Sequence, residues 1–308
     1  MIENEGIRRF DMAAELLPIR WRNVVQQIPD WKKAVAEELR MRTGRPMTVL
    51  MPEGEQMVSS SLPYQVVTQA DLDQLCDTVT GYSRYSAAHT ISKGYLSAPG
   101  GFRIGLCGSA VMQGGVNTNL RDISSAMIRI GRACTGIAEP LLSGLFEEKQ
   151  FCSTLLLAPP GAGKTTLLRD LIRCLSDGSE GFPPHRISVV DERGEVAVMH
   201  RGVPQMDVGA HTDILDACPK AIGIPMLLRS ANPQIIAVDE ITVREDLEAM
   251  EQAMNCGVRF LATIHANDVR DLKSRPLLRQ ILKHHMFERV ITIAAADGRR
   301  QYRLESLV

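Results

Sequence analysis

The stretch that most restricts how this chain can fold is LLLAPPGAGKTTLL, residues 155–168. An apolar run, a turn with two glycines and a second apolar run predict a strand, a tight loop and a helix. Glycines in such a loop allow backbone N–H groups to surround an anion, while a lysine reaches the terminal phosphates and a hydroxyl joins a magnesium shell. The predicted phosphate-binding residues are Pro159, Pro160, Gly161, Ala162, Gly163, Lys164, Thr165 and Thr166, with Thr165 also a magnesium ligand.

One position departs from the usual phosphate-loop pattern G-x-x-x-x-G-K-[ST]. Ala158 stands where the first glycine is expected. We expect alanine to be tolerated there if the residue keeps ordinary strand dihedrals. A chance GKT in a glycine-rich turn is the alternative interpretation, and the flanking strand and helix argue against it.

Two further apolar runs end in acid pairs. In NPQIIAVDEI the apolar run is followed by Asp239 and Glu240, which we interpret as a magnesium ligand and as the residue that orients and deprotonates the attacking water. In ISVVDERGE the apolar run is followed by Asp191 and Glu192, and Glu192 is a second candidate for positioning water or magnesium. The alternatives are a helix-capping pair for the first motif and an ordinary turn for the second.

In FLATIHAND, residues 260–268, the apolar run ends at His265. Alone, it predicts a buried strand with a hydrogen-bonded boundary histidine. A helix predicted from Arg244 to Asn255 is long enough for a crossover, which would make strand 259–264 parallel to strand 235–238. Ligands lie beyond the carboxyl ends of such strands, so His265 is predicted to sense the terminal phosphate rather than to act as the base.

The order of these elements predicts an α/β domain with a mostly parallel sheet over residues 141–308, preceded by a smaller α+β domain over residues 1–140. In the smaller domain, ELRMRTGRPMTVLM predicts a hairpin. Thr68 to Gly81 begins with a T-x-x-D cap and ends on glycine, which predicts a helix.

Composition narrows the function classes. The formal net charge is −1, from 35 basic and 36 acidic side chains, and aromatic residues make up 5%, which argues against a nucleic-acid surface. The seven cysteines form no C-x-x-C pair, and no apolar run suits a signal peptide or a bilayer span. We therefore expect a cytoplasmic protein that meets a membrane only through protein partners.

The motifs together resemble those of the secretion ATPases of type II and type IV systems, whose RecA-like P-loop domain has a phosphate loop, an acidic box, a Walker B acid and a histidine box. With EELRMRTGRP, GGFRIGLCGSAV and RDISSAMIRIGR they are similar, over nearly the whole chain, to the stage III sporulation AA family of endospore-forming bacteria. The resemblance implies a magnesium-dependent ATPase that forms a hexameric ring on the mother-cell side. It also implies that this motor energises a membrane channel complex between mother cell and forespore.

The same resemblance implies that nucleotide is held between subunits and that arginines of the amino-terminal domain complete the site. Arg103 and Arg129 are the candidates carried over on this basis. Secretion ATPases usually have Gly-Glu at the Walker B site followed closely by an arginine, whereas this chain has Asp239 and Glu240 followed by ITVRED, so Arg244 is not assigned that role. The alternative function is a RecA-like ATPase that binds or is stimulated by single-stranded nucleic acid.

Overall fold

The structure is a computed structural model that describes residues 2–58, 65–83, 87–131, 134–179, 181–296 and 299–307. The helices are α1 (Ile2–Ala14), α2 (Ile19–Val25), α3 (Asp30–Lys33), α4 (Gln69–Thr80), α5 (Ala88–Ser92), α6 (Lys164–Asp177), α7 (Lys220–Ser230), α8 (Arg244–Met254), α9 (Val269–Ser274) and α10 (Pro276–Lys283), and a 3₁₀ helix covers Glu139–Leu145. The strands are β1 (Glu38–Arg42), β2 (Thr48–Met51), β3 (Gly54–Met57), β4 (Tyr95–Ala98), β5 (Phe102–Gln113), β6 (Val116–Arg129), β7 (Phe146–Glu147), β8 (Gln150–Phe151), β9 (Thr154–Ala158), β10 (Ile187–Asp191), β11 (Met199–His200), β12 (Val203–Pro204), β13 (Thr212–Asp216), β14 (Ile235–Val238), β15 (Arg259–His265), β16 (Arg289–Ala296) and β17 (Arg299–Ser306). Two compact units contain these elements, the first formed by Met1–Arg132 with Val198–Gln205 and the second by Ala133–Ala197 with Met206–Val308.

The first unit contains an antiparallel sheet of six strands in the order β3-β2-β1-β6-β5-β4. The predicted hairpin is confirmed, because β1 and β2 pair antiparallel with Leu39 opposite Val49. Alternate residues of β1 are buried, so one face of the sheet packs on the core that the helices cover.

Helix α4 has the ends that the sequence predicts. The Thr68 hydroxyl accepts the N–H of Asp71, and the Asp71 carboxylate accepts the N–H of Thr68 at 2.6 Å. Gly81 ends the helix in the left-handed conformation with a φ of 60°. A capping pair of this kind contributes about 1 kcal/mol to helix stability.

The second unit contains a seven-stranded sheet in the order β13-β10-β14-β15-β9-β16-β17. All neighbouring strands are parallel except the last pair, β16 and β17, which confirms the mostly parallel sheet. The predicted crossover is also confirmed, because α8 connects β14 to β15 and these strands pair in parallel. His265 is the last residue of β15, directly opposite Ala158.

The central strands of this sheet are buried along their whole length. All residues of β9, β10 and β14 are buried, because helices cover both faces of a parallel sheet. Each fully buried leucine, such as Leu155 or Leu157, stabilises the fold by about 1.5–3 kcal/mol. The carboxyl ends of these strands are therefore fixed in position relative to one another, and their polar residues meet at one edge.

The sequence analysis did not predict the hairpin of β16 and β17. These strands pair antiparallel, with Ile293 opposite Tyr302, and extend the sheet beyond β9. The signal was present in the sequence as an Asp-Gly dipeptide between two runs of strand-forming residues, although the dipeptide itself lies outside the described residues.

Candidate functional site

The phosphate loop connects β9 to α6 as the sequence predicts. Gly161 and Gly163 have φ values of 75° and 95°, a region that favours glycine. Ala158 lies within β9 and pairs with β15, so the missing first glycine is replaced by a residue with strand conformation. Pro159 and Pro160 are exposed between the strand and the two glycines.

Lys164 is the first residue of α6, and its side chain folds back to the start of the loop. Its ammonium group donates to the carbonyl oxygens of Ala158 and Pro159, each at 3.0 Å, and lies 2.8 Å from Nδ1 of His265. Burial lowers the pKa of Lys164, whereas the charges of Asp239 and Glu240 oppose that shift. The lysine is thus partly desolvated and held where a terminal phosphate would replace its present partners.

Asp239 joins the phosphate loop to the neighbouring strands. Oγ1 of Thr165 donates to its Oδ2 at 2.9 Å, and Oγ1 of Thr263 donates to its Oδ1 at 2.5 Å. Thr166 lies beside Thr165 in the first turn of α6. A hydroxyl and a carboxylate this close offer the hard oxygen ligands that magnesium prefers.

The donor set fits magnesium held together with substrate phosphates. Within the described ranges, no three His, Cys, Asp or Glu side chains cluster so that they could hold a metal ion. Magnesium is commonly held by one or two protein oxygens, water and nucleotide phosphates, which is the arrangement that Thr165 and Asp239 suit.

Glu240 is held by its backbone as well as by its side chain. Its φ is 55°, an uncommon conformation for a residue with a side chain, and its N–H donates to the Thr263 hydroxyl at 2.8 Å. One carboxylate oxygen lies 3.0 Å from Nε2 of His265, and the other accepts a hydrogen bond from Arg193. The carboxylate is partly exposed and therefore accessible to water.

His265 lies between the lysine and the glutamate. An ammonium group can only donate, so Nδ1 of His265 is the acceptor, and Nε2 carries the proton that Glu240 accepts. These partners assign the neutral tautomer with the proton on Nε2. Lys164, His265 and Glu240 consequently form one continuous hydrogen-bonded chain.

The structure places Asp191 and Glu192 in different surroundings. Asp191 is buried and accepts the N–H groups of Glu195 and Ala197, each at 2.9 Å, and that of Val196. Glu192 forms an ion pair with the buried Lys220, which also lies 3.9 Å from Asp246. Glu192 is thus beside the acidic edge of the sheet, and its carboxylate is engaged by Lys220 rather than by the lysine and hydroxyls of the phosphate loop.

Arg103 and Arg129 belong to the first unit. The guanidinium of Arg103 lies over the ring of Tyr95, 4.1 Å from the centroid, and Arg129 lies 3.4 Å from a carboxylate oxygen of Glu38. Arg244, to which no family role was assigned, pairs with Glu248 on its own helix. A contribution of Arg103 or Arg129 to a nucleotide site stays a prediction.

Two further residues of the site, Thr263 and Arg193, were not among the predicted site residues. Thr263 is fully buried and its hydroxyl contacts both Asp239 and the backbone of Glu240. Arg193 follows the first acid pair, Asp191 and Glu192, and donates a hydrogen bond to Glu240 of the second pair. Its signal was the parallel arrangement of the two strands, because residues that follow adjacent parallel strands lie at the same edge.

A family model described as sporulation stage III, protein AA matches residues 8–303. The stage III sporulation protein AA of Bacillus subtilis (strain 168) is 38% identical over 285 residues, which cover 92% of this chain and 91% of that protein. Among solved structures, the pilus retraction motor PilT with bound ADP has a TM-score of 0.59 at 17% identity, covering 88% of this chain and 79% of that one.

The Legionella pneumophila ATPase DotB has a TM-score of 0.55 at 15% identity, and the match covers 88% of this chain and 76% of the DotB chain. These similarities confirm the predicted RecA-like fold of the secretion ATPases. Together with the family match over nearly the whole length, they show that the chain belongs to the sporulation stage III protein AA family.

Proposed function

We propose that this protein hydrolyses ATP and works as a motor of the secretion-ATPase type. The observation that carries the proposal is the connected set of polar side chains at the carboxyl edge of the parallel sheet. Thr165 contacts Asp239, Thr263 contacts Asp239 and the backbone of Glu240, and His265 contacts both Glu240 and Lys164. Each residue type has the chemistry that phosphoryl transfer to water requires at that place.

The roles follow from the contacts. An incoming terminal phosphate would take Lys164 from the two carbonyl oxygens and from His265, because a charged acceptor binds an ammonium group more strongly than neutral ones do. Thr165 and Asp239 would hold magnesium, which neutralises charge that develops on the phosphates. Glu240, the partly exposed acid, would orient and deprotonate the attacking water.

His265 would then report the state of the phosphate. Its Nδ1 faces Lys164 and its Nε2 faces Glu240, so it is coupled to both groups that change partners when the phosphate binds or leaves. When the phosphate binds or leaves, His265 would change its hydrogen bonds, and this change would alter the conformation at the end of β15.

The proposed assembly is a homohexameric ring on the mother-cell side, acting on membrane proteins of a channel complex between mother cell and forespore. Family membership and similarity to the fold of a pilus retraction motor support this proposal. Throughout the described part of the chain, every helix is too short or too polar to span a bilayer. Arg103 and Arg129 are proposed to complete the site of a neighbouring subunit.

Phosphate release by the full chain, with and without magnesium, tests the activity. We expect magnesium-dependent hydrolysis that Lys164→Ala abolishes, since this variant loses the cation at the phosphate loop. Hydrolysis that persists in Lys164→Ala would place the activity elsewhere. Mass measurement in solution with and without magnesium and ATP, on the wild type and on Glu240→Gln, tests the ring. A monomer under all conditions would contradict a site shared between subunits.

The second candidate function is an ATPase stimulated by single-stranded nucleic acid. Its support is the RecA-like fold, which many nucleic-acid motors share, while the net charge of −1 argues against it. Stimulation of hydrolysis by single-stranded DNA, falling steeply with salt, would favour this function over the first. Hydrolysis unchanged by DNA, with ring formation that depends on ATP, would favour the secretion-type motor.

A further inference from the structure

Arg300 packs directly on the phosphate loop. A Cβ atom at Gly163 would lie 2.8 Å from Cζ of Arg300 and 3.0 Å from its Nε and Nη1 atoms. The guanidinium therefore lies against the backbone of Gly163, and a side chain at that position would displace it. The φ of 95° at Gly163 favours glycine, and the absence of a side chain there lets Arg300 approach the loop.

The register of the carboxyl-terminal hairpin explains why Arg300 reaches the loop. It lies near the start of β17, opposite Ala295. Ala295 lies beyond Thr292, the residue at which β16 still pairs with Leu157 of β9. The arginine is consequently held at the carboxyl edge of the sheet, where β9 continues into the phosphate loop.

Arg300 approaches from the opposite side to the groups that handle the terminal phosphate. In the order β14-β15-β9-β16-β17, Glu240 and His265 follow or end strands on one side of β9, and Arg300 lies on the other. Lys164 points toward the first side, because its ammonium group contacts His265. A cation on the second side is placed for the part of the nucleotide that lies farther from the hydrolysed bond.

We propose that Arg300 binds the diphosphate part common to ADP and ATP, in the same subunit as the loop that it covers. This inference rests on the proposed nucleotide site. The positive φ of Gly161 and Gly163 lets loop N–H groups face an anion, and the guanidinium adds a charge that is suited to bidentate binding of phosphate oxygens. Because ADP and ATP share the diphosphate, Arg300 strengthens both complexes equally and has no part in discriminating between them.

Displacement of a fluorescent ADP analogue from the full chain, by ADP, ATP and inorganic pyrophosphate, tests the proposal. We expect Arg300→Gln to weaken all three by about 10- to 100-fold, the range for a hydrogen bond to a charged partner. Arg300→Lys, which keeps the charge, should recover part of that loss. Arg303→Gln is the matched control, because Arg303 lies on the same strand, is 77% exposed in its side chain and pairs with Glu305.

The outcomes separate this proposal from the proposed function. Unchanged affinities in Arg300→Gln, while Lys164→Ala loses binding, would overturn the role of Arg300 and leave the nucleotide site intact. Weaker binding of ADP with unchanged binding of pyrophosphate would show that Arg300 contacts the nucleoside, and it would also overturn the assignment. Tighter binding of ADP, ATP and pyrophosphate by Arg300→Gln would mean that Arg300 competes with nucleotide for the loop, and it would overturn the proposal. Failure of the wild type to bind ADP or ATP would instead remove the nucleotide site, and with it both proposals.

Discussion

The adjacent parallel strands β10 and β14 lead into the same dipeptide, Asp-Glu, yet the two acid pairs have different surroundings. Val190 lies opposite Val238 in the register, so Asp191 and Asp239 occupy equivalent places at the sheet edge. Asp191 is buried and its oxygens accept backbone N–H groups, whereas Asp239 is partly exposed and accepts the hydroxyls of Thr165 and Thr263.

The difference between these donors has a chemical consequence. Backbone N–H groups fix the loop that follows Asp191 and use the lone pairs of its carboxylate. Hydroxyls rotate, and two of them leave Asp239 with lone pairs for a cation. At equivalent positions of one sheet, Asp191 therefore stabilises its own loop, whereas Asp239 has oxygen lone pairs left for a ligand.

The glutamates follow the same division. Glu192 pairs with Lys220, a buried cation that also lies 3.9 Å from Asp246. Glu240 contacts His265, which in turn contacts Lys164 of the phosphate loop. Only the second glutamate is connected to the place where a terminal phosphate would bind.

The largest effect is expected from Glu240→Gln compared with Glu192→Gln. Removing the proposed base should lower the rate of ATP hydrolysis by about 100- to 10,000-fold and leave ATP bound. Glu192→Gln should cost far less, since that carboxylate is held by Lys220. Single-turnover hydrolysis and ATP binding measured on both variants check this order. A reversed order would transfer the catalytic role to the first pair.

Asp239→Asn and Asp191→Asn should affect different quantities. Loss of the charge that we assign to magnesium should lower hydrolysis about 100-fold at limiting magnesium, with partial recovery as the ion is added. Asp191→Asn should instead lower the free energy of unfolding by about 1–3 kcal/mol, because one of the two acceptor oxygens becomes an NH2 group that faces buried N–H donors. Magnesium titration of the rate and urea unfolding separate the two. A magnesium effect in Asp191→Asn would refute the structural assignment of that residue.

His265→Ala should lower the hydrolysis rate by about 30-fold and change ATP affinity by much less. The reason is that its Nε2 proton is bound by Glu240, so the loss affects the carboxylate that acts on water rather than the loop that holds phosphate. The rate constant and the ATP dissociation constant, measured on the same preparation, provide the check. Equal losses in both would mean that the histidine only stabilises the end of β15.

Sequence reasoning identified the phosphate loop, the crossover and the strand ends because these depend on local patterns and on one topological rule. It ranked Glu240 above Glu192 but could not assign the partners of each acid, since VVDE and AVDE look alike. What separates them is distant in the chain. Asp191 is satisfied by N–H groups of its own loop, while Asp239 depends on Thr165 and Thr263 from two other elements.

Arg300 shows the same limit from the other side of the loop. Nothing in the local sequence indicates that it contacts Gly163, because the contact requires a hairpin that adds a strand beyond β9 and the register that places Ala295 at the sheet edge. Pairwise contacts of this kind depend on strand order, which periodicity alone does not give.

The smallest effect is expected at Thr263, whose hydroxyl connects the two acids of the second pair. Thr263→Val keeps the shape of the side chain but removes the donor to Asp239 and the acceptor for the Glu240 N–H. We expect hydrolysis per folded molecule to fall about fivefold, equivalent to one hydrogen bond of about 1 kcal/mol. Thr263→Ser keeps the hydroxyl and should remain within about twofold of the wild type. Activity kept in Thr263→Val and lost in Thr263→Ser would mean that β-branched packing, not the hydroxyl, sets the geometry of the second acid pair.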